Sequence, residues 1–141
     1  MYKILVIDDD YAIRLLYQSE LEDEGYTVMA TSGSAGLPKH IRQFRPDIIL
    51  LDIKCGEAGG LDVLKEIRSG FHHIPVILCS GYDSFLRDMR VRGADYCVPK
   101  SIDLTELKNT IKKAFGSLMK EPKKFAPAFH DQNPVGTYLH C

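Results

Sequence analysis

Three short apolar runs, none broken by polar alternation, set the strongest limit on what this chain can fold into. They are residues 3–7 (Lys-Ile-Leu-Val-Ile), 48–51 (Ile-Ile-Leu-Leu) and 75–79 (Pro-Val-Ile-Leu-Cys). A strand with one wet face alternates polar and apolar residues; a strand covered on both faces does not. These runs therefore read as interior strands of a parallel sheet. Residues 26–31 and 95–98 read as two further strands, second and fifth in chain order. Helical spacing fills the gaps. Residues 11–24 place Ile13, Leu16, Tyr17 and Leu21 on one face, and Gly25 ends the segment. Residues 34–44 contain Pro38, which fits only the first turn of a late-starting helix. Residues 61–68, 83–92 and 103–118 repeat the helical pattern, with Asp103 placed to cap the last of them. Five β-α units in succession predict an α/β fold, a doubly wound parallel sheet with right-handed crossovers.

A chain of 141 residues has the length of one domain. Residues 1–119 carry the alternating pattern. Residues 120–141 hold three prolines and no periodic apolar face, and read as a flexible tail too short to be an output domain. The formal net charge of -1 gives no general attraction for nucleic acid or membrane. No C-x-x-C pair occurs among the four cysteines, so neither a zinc site nor a redox pair is expected, and Cys79 and Cys97 read as small buried residues. The start of the chain lacks the pattern of a signal peptide. No apolar run approaches the roughly 20 residues of a membrane span, so the expected compartment is the cytoplasm.

In a doubly wound sheet, ligands bind at the carboxyl ends of the strands. The first strand runs into Asp8-Asp9-Asp10, the third into Asp52 and the fourth into Ser80-Gly81; Lys100 follows the fifth. Taken singly, each is an ordinary cap, turn or surface residue. Together they bring carboxylates, a hydroxyl and an amine to one rim. Carboxylates held that close repel unless a cation joins them. Mg²⁺, a hard ion that takes carboxylates, waters and phosphate oxygens, answers that need. The set suits a metal and a phosphoryl group, with Asp52 as nucleophile, Lys100 as a compact cation on a phosphoryl oxygen, and the Ser80 hydroxyl as donor to another.

Several stretches carry a resemblance to a known family. They are Ile4 through Asp10, Pro46 through Asp52, Gly60 through Leu64, Pro75 through Gly81, and Gly93-Ala94-Asp95 with Lys100. In these, residues 2–118 resemble the receiver domain of bacterial two-component response regulators, of the single-domain type. The resemblance implies a flavodoxin-like sheet of strand order 2-1-3-4-5 with five helices. It implies that Asp52 is the phosphoacceptor, and that Asp8, Asp9, Asp52 and the backbone carbonyl of Lys54 hold Mg²⁺. It also gives Ser80 and Lys100 the family's hydroxyl and lysine roles. The implied donor is a histidine kinase or phosphotransfer protein, and the implied readout is contact with a downstream protein target. That contact would use the face formed by residues 83–92, the fifth strand and the last helix. The chain is then a switch rather than an enzyme with an outside substrate, and a monomer or weak dimer.

The sequence departs from the family in three places. Gly56 and Gly59-Gly60 stand where the family has proline and an Asp-Gly or Asn-Gly pair. Pro99 precedes Lys100 and Ser101 follows it, where the family has Lys-Pro; a trans Lys100–Ser101 bond is expected, since a cis one costs about 2.5–4 kcal/mol. Cys97 stands at the family's aromatic position, and neighbouring Tyr96 must face the other side of the strand. Lys54 and Tyr82 each lie two residues past a site residue, where the resemblance implies an influence on the lifetime of an acyl phosphate. Three other readings compete, one of them a degenerate receiver, suggested by the glycine-rich loop and Ser101, that no longer takes a phosphoryl group and serves only as an interaction module. A flavin or nucleotide domain needs a Gly-, Ser- or Thr-rich first loop, but here that loop is acidic. A phosphohydrolase using Asp8 and Asp10 leaves Asp52 and Lys100 without a purpose.

Overall fold

The computed structural model describes residues 2–33, 36–52, 59–80 and 93–120; at 59–61, 80 and 118–120 only the backbone is described. In chain order the elements are β1 (Lys3–Ile7), α1 (Tyr11–Asp23), β2 (Thr27–Thr31), α2 (Leu37–Phe44), β3 (Ile48–Asp52), α3 (Gly59–Gly70), β4 (Val76–Ser80), β5 (Tyr96–Pro99) and α4 (Thr105–Lys120). All strand pairs are parallel, in the order β2-β1-β3-β4-β5. The expected doubly wound α/β sheet is thus observed, with four helices among the described residues. The fifth expected helix, 83–92, and the expected tail from residue 121 onward lie outside them.

The unbroken apolar runs do what their pattern requires. In β1, Leu5 and Ile7 pack into one cluster with Leu37 and Ile41 of α2 and Leu64 and Ile67 of α3. Ile4 and Val6 pack into a second with Tyr17 and Leu21 of α1 and Leu107 and Ile111 of α4. Both faces of β1 are covered, so Ile4, Leu5, Val6 and Ile7 each remove their side chains from water, at about 25 cal/mol per Å² of apolar surface.

Local chemistry sets the helix limits. Asp10 caps α1: its carboxylate accepts the Ala12 and Ile13 N–H groups at 2.9 and 3.3 Å. Gly25, at φ 99, closes the same helix, with its N–H on the Glu22 carbonyl and the Tyr26 N–H on Leu21. Pro38 sits in the first turn of α2, as its fixed φ demands. The Asp103 carboxylate accepts the Thr105 N–H at 3.0 Å at the start of α4. Tyr96 and Cys97 face opposite clusters, so the tyrosine does not replace an aromatic at 97. No cis peptide bond occurs among the described residues. Cys97 is buried as expected but is disulfide-bonded, to a partner outside the described residues, whereas Cys79 is a buried free thiol. Spacing along a sequence carries no record of such proximity.

One arginine ties three segments at the rim where β4 and β5 begin. Arg68 of α3 donates to the carbonyls of Gly93 (2.6 Å) and Ile74 (2.7 Å) and to the Asp95 carboxylate (2.6 Å). The same carboxylate oxygen accepts the Val76 N–H at 2.8 Å. Charged hydrogen bonds of this kind contribute about 1.5–3 kcal/mol, and their loss leaves part-buried acceptors without a partner. Arg68→Ala is therefore expected to lower unfolding free energy by about 2–3 kcal/mol in urea denaturation. A loss near zero would show that the clamp contributes nothing.

Candidate functional site

Strand register builds the site. Ile7 pairs with Leu51, so Asp8, the next residue, comes level with Asp52 at the end of β3. Asp52 in turn pairs with Cys79, and Ser80 with Pro99, which brings Lys100 to the same rim. Side-chain alternation adds direction. Asp8 follows the phase of Ile4 and Val6, and Asp52 that of Ile48 and Leu50, so both lie on the side of α1 and α4.

Asp8 and Asp52 are almost fully buried, at 2% and 4% exposure, while Asp9 is exposed. One carboxylate oxygen from each of the three lies within 4.8 Å of the others. The Lys100 ammonium bridges the buried pair, 2.8 Å from Asp8 and 3.2 Å from Asp52. Burial alone depresses the Lys100 ammonium. The hydrogen bond to Asp8 and the attraction of Asp52 and Asp8 outweigh it, and the net pKa lies above the usual lysine value. Three oxygen donors converging beside one ammonium suit a hard divalent cation.

The run Asp8-Asp9-Asp10 divides its labour. Asp8 and Asp9 face the cluster; Asp10 is spent on the helix cap, and its N–H donates to Asp8 Oδ1 at 2.9 Å. An acid at Asp10 serving a phosphohydrolase has no support in this geometry. Ser80 stands at the expected strand end, but its side chain is not described. Lys54, Tyr82 and the glycine-rich loop 55–58 lie outside the described residues.

Three residues near the site were not read from the sequence as belonging to it, although Tyr17 and Cys79 were read as core residues. Arg14, half-buried on α1, donates from Nη1 to the Asp8 carbonyl at 2.7 Å and holds the turn that aims Asp8. Tyr17 is buried in the cluster beneath. Its phenol is pushed upward by burial first, then by Cys79, Asp8 and Asp52. The Cys79 thiol is pushed up to about 12, by full burial and then by the Asp52 charge, so it is protonated and inert at neutral pH. Only the one-turn and two-turn spacing of Arg14 and Tyr17 past Asp10 could have hinted at them.

The shift on Lys100 fixes the sign of a pH effect. Its folded-state pKa is raised, so its stabilising contribution is complete below the unfolded value of roughly 10.5 and fades as pH rises through the folded one. The stability difference between wild type and Lys100→Met should be flat between about pH 6 and 9 and shrink above about pH 10.5. A difference that collapses near pH 8 in chemical denaturation would refute the assignment.

Residues 4–112 match the profile of the response regulator receiver domain. The chain is 31% identical over 134 residues to the DNA-binding transcriptional regulator NtrC of Rhizobium meliloti (strain 1021), covering 94% of this chain and 28% of that protein. It is 32% identical over 114 residues to sporulation initiation phosphotransferase F of Bacillus subtilis (strain 168), covering 79% of this chain and 91% of that protein. The chain thus spans about a quarter of the length of the NtrC relatives and nearly all of the phosphotransferase. Among solved structures, the response regulator TrrA of Thermotoga maritima, in complex with Mg²⁺-BeF, superposes with a TM-score of 0.73 at 36% identity, covering 81% of this chain and 99% of that one. A CheY-like receiver domain protein of Methanospirillum hungatei JF-1 gives 0.75 at 28% identity, covering 86% and 98%.

Proposed function

The chain belongs to the response regulator receiver domain family, and on that premise we propose that it is a phosphorylation-dependent switch whose Asp52 accepts a phosphoryl group from a histidine kinase or phosphotransfer protein. The observation that carries this reading is the near-buried Asp52 carboxylate, grouped with Asp8 and Asp9 and touched by the Lys100 ammonium.

In the proposed transfer an Asp52 oxygen forms the new bond to phosphorus as the bond to the donor breaks, leaving an acyl phosphate. Asp8, Asp9, Asp52 and the Lys54 backbone carbonyl would hold Mg²⁺, which neutralises charge on the transferring group. Lys100 pairs with a phosphoryl oxygen and Ser80 donates to another. Before transfer Lys100 already spans Asp8 and Asp52, so pairing needs a small displacement rather than a new approach. The chain promotes only its own phosphorylation and dephosphorylation.

About two added negative charges at Asp52 draw Lys100 and Ser80 inward and bias a two-state surface. We assign the readout to the face built from residues 83–92, β5 and α4, where a downstream protein binds. The reading places the receiver in residues 1–119, the tail in 120–141, the protein in the cytoplasm, and the free chain as a monomer or weak dimer without direct contact to nucleic acid or membrane. Among the described residues no helix is long and apolar enough to cross a membrane.

Incubation with acetyl phosphate and Mg²⁺ tests the proposal. Intact mass should rise by one phosphoryl group in wild type, and neither in Asp52→Asn nor after chelation of the metal. An unchanged wild-type mass, or equal labelling of Asp52→Asn, sinks it.

A further inference from the structure

The opposite rim of the sheet carries a cavity of about 320 Å³ beside the C-terminus of α2 and the turn before β4. Buried Ile41 and Ile74 with half-buried Phe71 form its floor; exposed Arg42, Arg45 and His73 stand around it. Exposed His72 lies edge-on to His73, ring centroids 5.9 Å apart. Among the described residues no carboxylate pairs with either arginine. Asp47, the nearest acid in sequence, has its carboxylate turned to the Lys3 N–H at 2.8 Å.

Arg45 has a further peculiarity. It is the C-cap of α2 at φ 55 and ψ 61, the single non-glycine in the left-handed region among the described residues. Glycine or asparagine is usual at such a place, because a larger side chain is strained there. The helix dipole favours a cation in the last turn and so accounts for Arg42. It does not call for a strained arginine at the cap that follows.

We propose that this rim is a docking site for an acidic segment of a protein partner, which seats one apolar side chain in the cavity and pairs its carboxylates with Arg42 and Arg45. Charge complementarity selects that occupant: unpaired guanidinium groups ring a greasy floor, and they recognise carboxylates in a bidentate fork. A nucleic-acid backbone fits less well. It offers nothing for the apolar floor, and the chain lacks the net positive charge and extended basic stripe of such binders. The site lies at the ends of the strands remote from Asp52, so its occupancy does not compete with a phosphoryl donor. The inference is independent of phosphorylation.

The test is an NMR titration of the full chain with the capped peptide Ac-Glu-Leu-Phe-Glu-Asp-NH₂ and its Gln/Asn counterpart. The acidic peptide should shift the amides of residues 41–47 and 71–74 and bind at least about tenfold more tightly than the neutral one. Arg42→Gln and Arg45→Gly should each weaken it about fivefold or more. Arg45→Gly should also keep or raise the melting temperature, since glycine relieves the strain at φ 55. Equal affinity for the two peptides, shifts centred on another face, or no shift at millimolar peptide overturns the proposal. So does full-affinity binding by folded Arg45→Gly, or a stronger response of the same amides to a single-stranded oligonucleotide.

Discussion

A lysine ammonium held between two nearly dry carboxylates is the interaction on which the acidic rim depends. Carboxylates within 4.8 Å of one another repel by roughly 3–4 kcal/mol at the effective dielectric of about 20 that suits protein sites. The fold places Asp8 and Asp52 side by side regardless, because parallel register leaves no choice once Ile7 pairs with Leu51. Lys100 offsets part of that repulsion from the end of β5, two positions from β3 and three from β1 in the sheet. Three carboxylates against one ammonium still leave a formal excess of two negative charges, the charge of one divalent cation. The notch is thus held together in a state that remains short of positive charge, which a divalent cation would supply under the proposed function.

Such a notch needs rigid walls, and the core supplies them. β1 and β3 are sandwiched between two apolar clusters, so neither strand can slip without moving every side chain to the wrong face. On the α1 side, Lys108 of α4 reaches Glu20 at 2.8 Å and Glu24 at 3.5 Å, while Phe115 stacks on Tyr2 at 3.9 Å between centroids. The acidic end of α1 runs against its own helix dipole, and Lys108 offsets this from the neighbouring helix. α1 is thereby fixed at both ends: Asp10 at the start, beside the acidic cluster, and the Lys108 pairs near its close.

Strands were legible in the sequence to within a residue, because runs buried on both faces announce themselves by what they lack. Pro38 and Asp103 marked helix starts, since each has few other places to be. The convergence of Asp8, Asp9, Asp52 and Lys100 was legible through topology: in parallel β-α units every strand end falls on the same rim. Contacts made across that frame were not. Arg68 reaches Gly93 and Asp95 over 25 and 27 residues of chain, and its position looks like any arginine near a helix end. Arg14 and Tyr17 approach the site only because α1 packs where it does. The triple aspartate misled in a different way, since three identical side chains concealed that one of them belongs to the helix and not to the cluster.

The two rims are electrically opposed, and only part of that opposition comes from backbone geometry. Helices in β-α units begin at the carboxyl ends of the strands, so their positive ends gather near Asp8, Asp9 and Asp52, and their negative ends near Arg42 and Arg68. Arg68 also has hydrogen-bonding work within the fold, and Arg42 sits where any cation is favoured. Arg45, at the C-cap, shares part of that dipole benefit but makes no ion pair among the described residues. It accepts a backbone conformation that glycine would adopt without strain, on a rim where no acid pairs with it among the described residues. An arginine held at a conformational cost beside an apolar hollow is what the proposed acidic partner segment would use.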